Sequence, residues 1–467
     1  MVFMNNTEQE KDKQKYIQPA GKEGSVREIL TVAYPLIIST ASSTVMQFIN
    51  RMFLAHYSPE AMAACVPGGI LAFTFLCFFM GLVNYSNAFV SQYFGKGQRS
   101  NISRSVWQAV WLAAAAGIII QLSIPVGYFI IEHAGHDPAV AVLEKDYFFW
   151  LTVFSVLPLM GSALASFYTG QGRTKYTMFA NICGNIVCVL CSWWFIFGGA
   201  GLPAMGIKGA AIATSCGGIT AVLILMAFVF SCGNRTKYRI NKFWRPDMEF
   251  FSRMLRFGSA NGIGFMLEIC GFSAFVFMIG SLDKISLAAS NIVASINNIS
   301  FMPIIGIGTA SLTLVGKYIG KGDIAIAEKV VFRSARIAII YAIFIGTLFF
   351  CFPGMFVNIF GGAGPDYAEI LPLARRLMGV LAFAILFDGI GIVFADSLRG
   401  AGDTKFQMMI GLGTTVLVFI PLTWAAIHYT HSVLYAWGAY GIFVTVYFLV
   451  SLMRFRYGAW KKIKLVH

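Results

Sequence analysis

The chain has 467 residues, of which 57% are hydrophobic and 12% are charged, and its mean hydropathy is +0.71. A soluble domain carries about 25% charged residues, so this composition excludes an ordinary water-soluble protein. The formal net charge is +14. The basic residues are spread over the segments between apolar runs and are not clustered on one soluble domain, which argues against a nucleic-acid partner.

Apolar runs of about 20 residues or more recur from Leu30 to Tyr457, and each is long enough to cross roughly 30 Å of hydrocarbon as a helix. The runs are continuous rather than alternating, which excludes an outer-membrane β-barrel. We therefore predict an all-α integral membrane protein with twelve transmembrane helices. The predicted spans are residues 29–55, 60–92, 106–132, 146–169, 176–199, 208–232, 255–281, 286–316, 334–361, 371–396, 405–428 and 433–453.

The positive charges predict how the spans are oriented. With the N-terminus inside, 29 of the 35 lysines and arginines fall in the tails and loops of the inner side, as the positive-inside rule requires. Residues 1–26 and 454–467 are then cytoplasmic tails. We expect a multi-pass protein of the plasma or inner membrane, surrounded by membrane lipid.

The second half of the chain repeats the first. The stretch VSQYFGKGQRS, around residues 95–97, is echoed by VGKYIGKGDIA, around residues 320–322, at an offset of 225. Further on, GQGRTK at residues 170–175 matches GAGDTK at residues 400–405, at an offset of 230. Matches that keep their order at nearly one offset are hard to obtain by chance.

The repeat predicts two lobes of six helices each, residues 27–232 and residues 255–453, joined by a basic cytoplasmic linker at residues 233–254. Because each half has an even number of spans, both halves run in the same direction through the membrane. Transporters built from such repeats place their substrate sites near the midplane, where the halves meet. The repeat therefore favours a transporter.

These features resemble the multidrug and toxic compound extrusion (MATE) family over roughly residues 25–455. The resemblance rests on the paired turns, on Pro35 in an "AYPLIIST" first helix, on the "SLRGAGDTK" turn and on the "LRFGSANGIGFMLE" opening of the seventh helix. A glutamate in helix 7 together with an aspartate in helix 10 narrows the resemblance to the NorM-like branch of the family. The resemblance implies a pseudo-symmetric, twelve-helix exporter that exchanges small amphipathic organic cations for Na⁺ or H⁺ without a cofactor, and we expect a monomer.

The N-terminal lobe departs from the family pattern. Many relatives carry an aspartate late in the first helix, where this chain has Asn50, and Ser192 stands where an aspartate or asparagine is common. We therefore expect no ion site in this lobe. Asn50 can still line a substrate cavity with other neutral amide side chains, and helix–helix hydrogen bonding is the alternative for all of them. The other members of this set are Gln47, Asn181 and Asn185.

Two acids stand alone in apolar spans of the C-terminal lobe. Glu268 is the only charged residue between Arg256 and Asp283, and Asp388 is the only one in the middle of the tenth span. A carboxylate at a helix centre costs about 2.5 to 3.5 kcal/mol on insertion scales, so such residues face the bundle interior. The resemblance places both acids in one cavity. Their oxygens suit Na⁺, and their burial equally suits protonation. A simple hydrogen bond to a neighbouring helix is the alternative for each.

Three further residues are candidates near this pair. Asn261 lies seven residues before Glu268, which puts both on one face of the helix. Phe301 could meet a cation with its ring face. Asp396 sits three residues before Arg399, a spacing that favours an ion pair at a helix end and leaves the role of Asp396 open.

Three prolines interrupt predicted spans, namely Pro35, Pro158 and Pro303. Each removes one backbone hydrogen bond, and the resulting kinks would let a helix bend during alternating access. Passive kinks are the alternative, since proline is common in membrane helices.

Three other functions compete with ion-coupled efflux. A lipid-linked oligosaccharide flippase of the same superfamily would also have twelve spans, but its anionic headgroup calls for several cavity arginines. An enzyme is disfavoured because the sequence has no HExxH, GxSxG or paired CxxC motif. A channel would need selectivity elements built by oligomers, which the internal repeat does not support.

Overall fold

The computed structural model of the protein describes residues 23–199, 201, 203–360, 367–463 and 465–466. Residues 1–22 of the predicted N-terminal tail lie outside the described residues. Within the described part, twelve helices are long and apolar enough to cross a membrane, as the sequence predicts. These helices, α1 to α12, are Val26–Tyr57, Pro59–Gly95, Arg99–Gln121, Pro138–Thr169, Lys175–Phe197, Gly206–Val229, Met248–Gly280, Lys284–Lys321, Ile324–Cys351, Tyr367–Ala401, Thr404–Thr430 and Val433–Tyr457.

Local sequence signals set the start of several helices. Ser58 precedes α2, and its hydroxyl oxygen accepts a hydrogen bond from the Ala61 amide at 3.0 Å. Asp283 precedes α8, and its carboxylate accepts from the Ser286 amide at 2.7 Å. Such caps satisfy amide groups that a helix leaves unpaired at its first turn.

The helix α7 extends into the predicted linker. The helix α7 begins at Met248, whereas we predicted that the C-terminal lobe begins at residue 255. The reason is Asp247, which accepts a hydrogen bond from the Phe250 amide at 3.2 Å and so extends the helix into the basic segment. Part of the remaining linker forms a short helix, Cys232–Tyr238.

The linker is fastened to one face of α3. Three donors, spaced four residues apart and therefore stacked on that face, bind backbone carbonyls of the linker. The pairs are Ser103 to Tyr238 at 2.7 Å, Trp107 to Ile240 at 2.9 Å and Trp111 to Trp244 at 2.7 Å. The segment between the lobes is thus ordered by the N-terminal lobe.

The two lobes use equivalent helix contacts. The helix α2 packs against α4 as α8 packs against α10, and α5 packs against α6 as α11 packs against α12. At the first pair of contacts, a Cβ on Gly170 would lie 3.0 Å from the Asn87 carbonyl oxygen, and a Cβ on Gly400 would overlap the Leu312 carbonyl. Gly400 follows Gly170 by the offset of 230, and Leu312 follows Asn87 by the offset of 225. The sequence repeat is therefore also a repeat of helix packing.

The repeated turns require glycine. Gly97 and Gly322 have φ angles of 75° and 88°, and Gly172 and Gly402 have φ angles of 72° and 102°. Residues with a side chain rarely adopt this left-handed conformation. The glycine spacing of the two motifs is therefore explained by the turn geometry.

The lobes meet most closely beside the first pair of turns. The last part of α2 crosses the last part of α8, so that a Cβ on Gly95 would overlap the Lys317 carbonyl and a Cβ on Gly320 would overlap the Gln92 carbonyl. These two contacts are related by the offset of 225. A pseudo-two-fold crossing of two glycines therefore closes this end of the bundle, and we call it the glycine crossing.

Hydrogen bonds between the lobes reinforce the closed end. They are Tyr85 to the Arg399 carbonyl at 3.1 Å, Asn87 to Thr313 at 3.1 Å and Gln92 to the Gly400 carbonyl at 2.8 Å. A further link ties the start of α1 to the end of α8: the two carboxylate oxygens of Glu28 bind Lys317 at 2.8 Å and Tyr318 at 2.7 Å. The closed end is thus polar as well as tightly packed.

The three prolines have different local effects. Pro35 and Pro303 lie inside continuous helices. By contrast, α4 is interrupted at residues 154–155, just before Pro158. A proline cannot donate to the carbonyl four residues earlier, and the Phe154 carbonyl instead accepts from the Leu157 amide at 3.0 Å.

Candidate ion and substrate site

Asp388 of α10 is held by a tyrosine of α12. The Tyr440 hydroxyl donates a hydrogen bond of 2.9 Å to Asp388 Oδ2. The tyrosine ring is 8% exposed and packs against the rings of Phe275, Phe419 and Trp437, with centroids 5.8 to 6.3 Å away. This aromatic packing fixes the direction of the hydroxyl and hence the position of the carboxylate.

Glu268 lies in the middle of α7, and its side chain is exposed. That Glu268 and Asp388 share one site stays a prediction, and two carboxylates in one site can take up Na⁺ or protons.

Asp396 lies further along α10 and pairs with an arginine. Arg399 Nη1 contacts Asp396 Oδ1 at 3.1 Å, as their spacing predicts. Asp396 is only 9% exposed. α10 therefore carries an ion pair with a half-buried arginine close to its C-terminal end.

Sequence reasoning missed the two tyrosines of α12. Tyr440 and Tyr447 are seven residues apart, so both lie on the same face of the helix. The Tyr447 hydroxyl donates to Gln407 Oε1 at 3.3 Å. The seven-residue spacing of the two tyrosines within one span was the sequence signal that could have identified them.

The other two C-terminal candidates have different surroundings. Asn261 donates a hydrogen bond of 2.6 Å to the carbonyl oxygen of Gly81 in α2, so it joins the two lobes. The helices come close there, since a Cβ on Gly81 would lie 2.8 Å from the Gly262 Cα. Phe301 is half-buried against the apolar core of the C-terminal lobe.

Two of the N-terminal candidates connect helices. Asn181 donates to Ser39 at 2.6 Å, and Asn185 donates to Ser42 at 3.0 Å. Both bonds tie α5 to α1. The hydrogen bonding that we gave as the alternative is therefore present, and both side chains remain partly accessible to the space beside them.

Asn50 lies in a neutral polar pocket of the N-terminal lobe. Its amide nitrogen approaches the sulfur atoms of Met46 at 3.3 Å and Cys188 at 3.4 Å, while its carbonyl oxygen is buried without a hydrogen-bond partner. Ser192 is fully buried and lies 4.0 Å from the Cys188 sulfur. Gln47, one turn before Asn50, is exposed. The pocket holds neutral groups at Asn50 and Ser192, the two positions where the sequence departs from the pattern of the family it resembles.

Sequence comparison identifies the family. The MatE profile matches residues 35–194 and 262–425, one segment in each lobe. The chain belongs to the MatE family. Two blocks of similar length on the two lobes agree with the internal repeat and with the helix contacts that the lobes share.

Curated relatives of this MatE protein are similar over nearly their whole length. A probable multidrug resistance protein NorM of Mesorhizobium japonicum is 29% identical over 82% of this chain and 83% of the relative. A probable multidrug resistance protein NorM of Thermotoga maritima is 23% identical over 93% of each chain. The match includes both lobes, so this MatE chain and its relatives have the same two-lobe organisation.

Solved structures have the same fold. A MATE in the straight conformation superposes with a TM-score of 0.84, at 17% identity over 93% of this chain and 97% of that chain. The eukaryotic MATE transporter AtDTX14 gives a TM-score of 0.82, at 18% identity over 93% and 96% of the two chains. This MatE protein is therefore a multi-pass membrane protein with twelve helices in two lobes.

The chemistry of the MatE acid site differs from that of a transition-metal centre. Among the residues that the structure describes, no group of three or more histidine, cysteine, aspartate or glutamate side chains comes together as such a centre does. Glu268 and Asp388 offer oxygen atoms, and Tyr440 offers a hydroxyl. These donors match a hard monovalent cation or a pair of protons.

Proposed function

We propose that this MatE protein is a multidrug efflux antiporter, which exports organic cations in exchange for Na⁺ or H⁺. The observation that carries the proposal is the presence of two acids, Glu268 and Asp388, in membrane-spanning helices of the C-terminal lobe. Carboxylates inside a membrane domain are costly and mark ion pathways. The names of the NorM relatives, which are called multidrug resistance proteins, support the same function.

The ion and the organic cation compete for the same negative charge in this mechanism. Na⁺ or protons on Glu268 and Asp388 remove the attraction for a cationic substrate, and loss of the ion restores it. Coupling further requires that the ion binds one facing state more tightly than the other, because equal affinity shifts no equilibrium. Aromatic rings of the C-terminal lobe, among them Tyr440 and Phe301, add cation–π contacts to the organic substrate.

The orientation in the membrane is part of the proposal. The glycine crossing and its basic turns are placed on the cytoplasmic side, as the positive-inside rule favours. Both termini are then cytoplasmic, and the protein is a monomer in the plasma or inner membrane. In that orientation the closed end of this structure is the inner one, so the structure corresponds to an outward-facing state.

A lipid-linked oligosaccharide flippase fits the site less well. The anionic headgroup of its substrate would have to enter a lobe whose helices carry the acids Glu268, Asp388 and Asp396 and the arginine Arg399. Of these charges, Arg399 is already paired with Asp396 at 3.1 Å. The charge balance therefore favours a cationic substrate.

Proteoliposomes containing the purified protein test the proposal. Ethidium serves as the fluorescent organic cation, and an inward or outward gradient of Na⁺ or H⁺ is imposed separately. We expect one gradient to drive ethidium movement and Glu268→Gln to abolish that drive. Glu369→Gln, which neutralises an exposed glutamate on α10, is the matched control. Ion-driven transport at the wild-type level in Glu268→Gln would refute the role of the pair.

A further inference from the structure

An apolar cavity lies between helices of the N-terminal lobe. It encloses about 240 Å³ and is lined by side chains of α3, α4 and α6 and by Ile240 of the linker. Two of the lining side chains, Ser103 and Trp107, have polar groups, and both donate hydrogen bonds to linker carbonyls, at 2.7 and 2.9 Å. A cavity whose polar groups are already bonded is suited to hydrocarbon rather than to water.

The cavity opens to the hydrocarbon around the protein. Both α3 and α6 pack against α4, so α4 closes the cavity from behind. Exposed apolar side chains continue its walls at spacings of three, four and seven residues, which place each set on one helix face. They are Trp111, Ile118 and Leu122 on α3 and Ile219, Leu223 and Met226 on α6, of which Met226 also lines the cavity. Lipid chains cover such faces in a membrane, so an acyl chain is the group that lies next to the opening.

A turn of the linker places two cations beside the cavity. Arg239 lies between the buried residues Tyr238 and Ile240, and its φ angle of 52° is uncommon for a residue with a side chain. The Lys242 amide donates a hydrogen bond of 3.0 Å to the Arg239 carbonyl, and a turn closed in this way holds the Cα atoms of its ends within about 7 Å of each other. Both side chains are exposed. Arg239 and Lys242 therefore lie together within two residues of Ile240, which lines the cavity.

This turn presents uncompensated positive charge. Residues 231–246 contain five lysines and arginines and no acidic residue. In the part of the chain that the structure describes, neither Arg239 nor Lys242 has an ion-pair partner. Arginine and lysine bind phosphate through charge-assisted hydrogen bonds, so the turn is suited to a phosphate group.

Two tryptophans indicate the depth of the linker in the membrane. Trp111 Nε1 donates a hydrogen bond of 2.7 Å to the Trp244 carbonyl, and the two residues are 38% and 48% exposed. Indole rings favour the boundary between the hydrocarbon and the lipid headgroups. Arg239 and Lys242 precede Trp244 by five and two residues, so the turn lies at the level of the headgroups.

We propose that the cavity and the turn bind an anionic phospholipid, with one acyl chain in the cavity and the headgroup phosphate on Arg239 and Lys242. We call this the lipid site. A negatively charged headgroup is favoured over a zwitterionic one, because each basic residue near an anionic membrane surface contributes about fivefold to binding. A lipid bound there anchors the linker to the leaflet on the side of the glycine crossing. The inference involves neither Glu268 nor Asp388, so it is independent of the proposed ion exchange.

Native mass spectrometry of the purified protein in detergent tests the lipid site. The measured quantity is the fraction of protein that carries one added lipid, as a function of lipid concentration. Phosphatidylglycerol is the anionic probe, phosphatidylcholine with the same acyl chains is the zwitterionic probe, and glycerol 3-phosphate represents the headgroup without chains. We expect phosphatidylglycerol to bind at least about tenfold more tightly than phosphatidylcholine. An excess of glycerol 3-phosphate should not displace it.

The double variant Arg239→Gln/Lys242→Gln tests the headgroup contacts. Removing both cations should weaken phosphatidylglycerol binding by about thirtyfold and change phosphatidylcholine binding by less than about threefold. Arg456→Gln/Lys462→Gln is the matched control, because it also removes one exposed arginine and one exposed lysine, near the end of α12 in the other lobe. The control should bind phosphatidylglycerol like wild type.

The variant Val110→Phe tests the acyl-chain contacts. Val110 lines the cavity, and the larger ring fills the space that the chain would occupy. We expect both lipids to bind at least about tenfold more weakly, because the chain loses its apolar contacts. Size-exclusion profiles and melting temperatures in detergent identify any variant that fails to fold. Should Val110→Phe fail to fold, Met226→Trp takes its place, because Met226 lines the cavity at a 40% exposed position.

Several results would overturn the lipid site. If Arg239→Gln/Lys242→Gln binds phosphatidylglycerol like wild type, or if the matched control loses as much affinity, the turn has no specific role. Equal binding of phosphatidylglycerol and phosphatidylcholine by the wild type excludes the charge selectivity. Wild-type affinity in the folded cavity variant shows that no chain enters the cavity. Displacement by glycerol 3-phosphate shows that a soluble phosphate compound, and not a lipid, is the ligand.

Discussion

The Tyr440 hydroxyl donates a 2.9 Å hydrogen bond to Asp388 Oδ2 and joins the last helix of the lobe to the acid site. The bond is charge-assisted whenever the carboxylate is ionised, and such bonds are stronger than neutral ones. Because the ring is clamped by Phe275, Phe419 and Trp437, the hydroxyl has little freedom to turn elsewhere. In the proposed mechanism, Tyr440 therefore orients Asp388 for the coupling ion.

Replacing Tyr440 by Phe tests this orientation. The substitution keeps the aromatic packing and removes one hydrogen bond to a charged group, which contributes about 1.5 to 3 kcal/mol. We expect ion-driven ethidium transport to fall by about tenfold with a smaller change in melting temperature, since the ring still fills its site. Proteoliposome transport and thermal unfolding in detergent measure the two effects.

The control for Tyr440→Phe is Tyr435→Phe, which removes a hydroxyl from a 64% exposed side chain of the same helix. That variant should transport like wild type. Equal rates for both variants would mean that the Tyr440 hydroxyl does not position Asp388.

The sequence predicted the architecture because membrane burial leaves a strong signal. Continuous apolar runs gave twelve helices in the described part of the chain, and the offset between the glycine turns gave the equivalence of the two lobes. The turn glycines were readable for the same reason, because positive φ angles at Gly97 and Gly322 exclude most other residues. The fold and its internal repeat are thus determined by local features of the sequence.

Partners across helices were not readable in the same way. The sequence gave Asn261 and Glu268 one face of α7, but it could not indicate that Asn261 reaches the Gly81 carbonyl of the other lobe at 2.6 Å. Nor could it assign Tyr440 to Asp388, 52 residues earlier. Side-chain pairing between helices depends on how each helix is rotated about its axis and on the depth of each residue in the bundle. The hydropathy of the sequence determines neither quantity closely. A lone acid can be found from the sequence because a charged residue interrupts an apolar run. The neutral residues that bind the acid leave no such signal.

The glycine crossing makes a second prediction. A methyl group at Gly320 would meet the backbone carbonyl of Gln92, which cannot move aside as a flexible side chain would. Overpacking of this kind costs about 1 to 3 kcal/mol. We therefore expect Gly320→Ala to lower the melting temperature by several degrees and to slow ethidium transport, because the lobes can no longer meet at this end.

Two further variants show whether the effect belongs to the crossing. Gly95→Ala should act in the same direction, since Gly95 meets the Lys317 carbonyl by the equivalent contact. Gly441→Ala is the neutral comparison, because a Cβ there would have nothing within 4 Å. A Gly320→Ala protein that melts and transports like Gly441→Ala would contradict the prediction.

The link between α1 and α8 makes the last prediction. Glu28 binds Lys317 at 2.8 Å and Tyr318 at 2.7 Å, and only 13% of its side chain is exposed. Glu28→Gln removes the negative charge and leaves Lys317 without its ion-pair partner, which costs about 1 to 3 kcal/mol for a group this buried. We expect amide hydrogen exchange to rise by roughly tenfold in the first turn of α1 and the last turns of α8, because local opening becomes easier there.

Glu60→Gln, at an exposed position in the first turn of α2, controls for loss of a glutamate at a helix start and should leave exchange unchanged. Exchange at the two helix ends that is no faster in Glu28→Gln than in Glu60→Gln would mean that the glycine crossing closes this end without help from the ion pair.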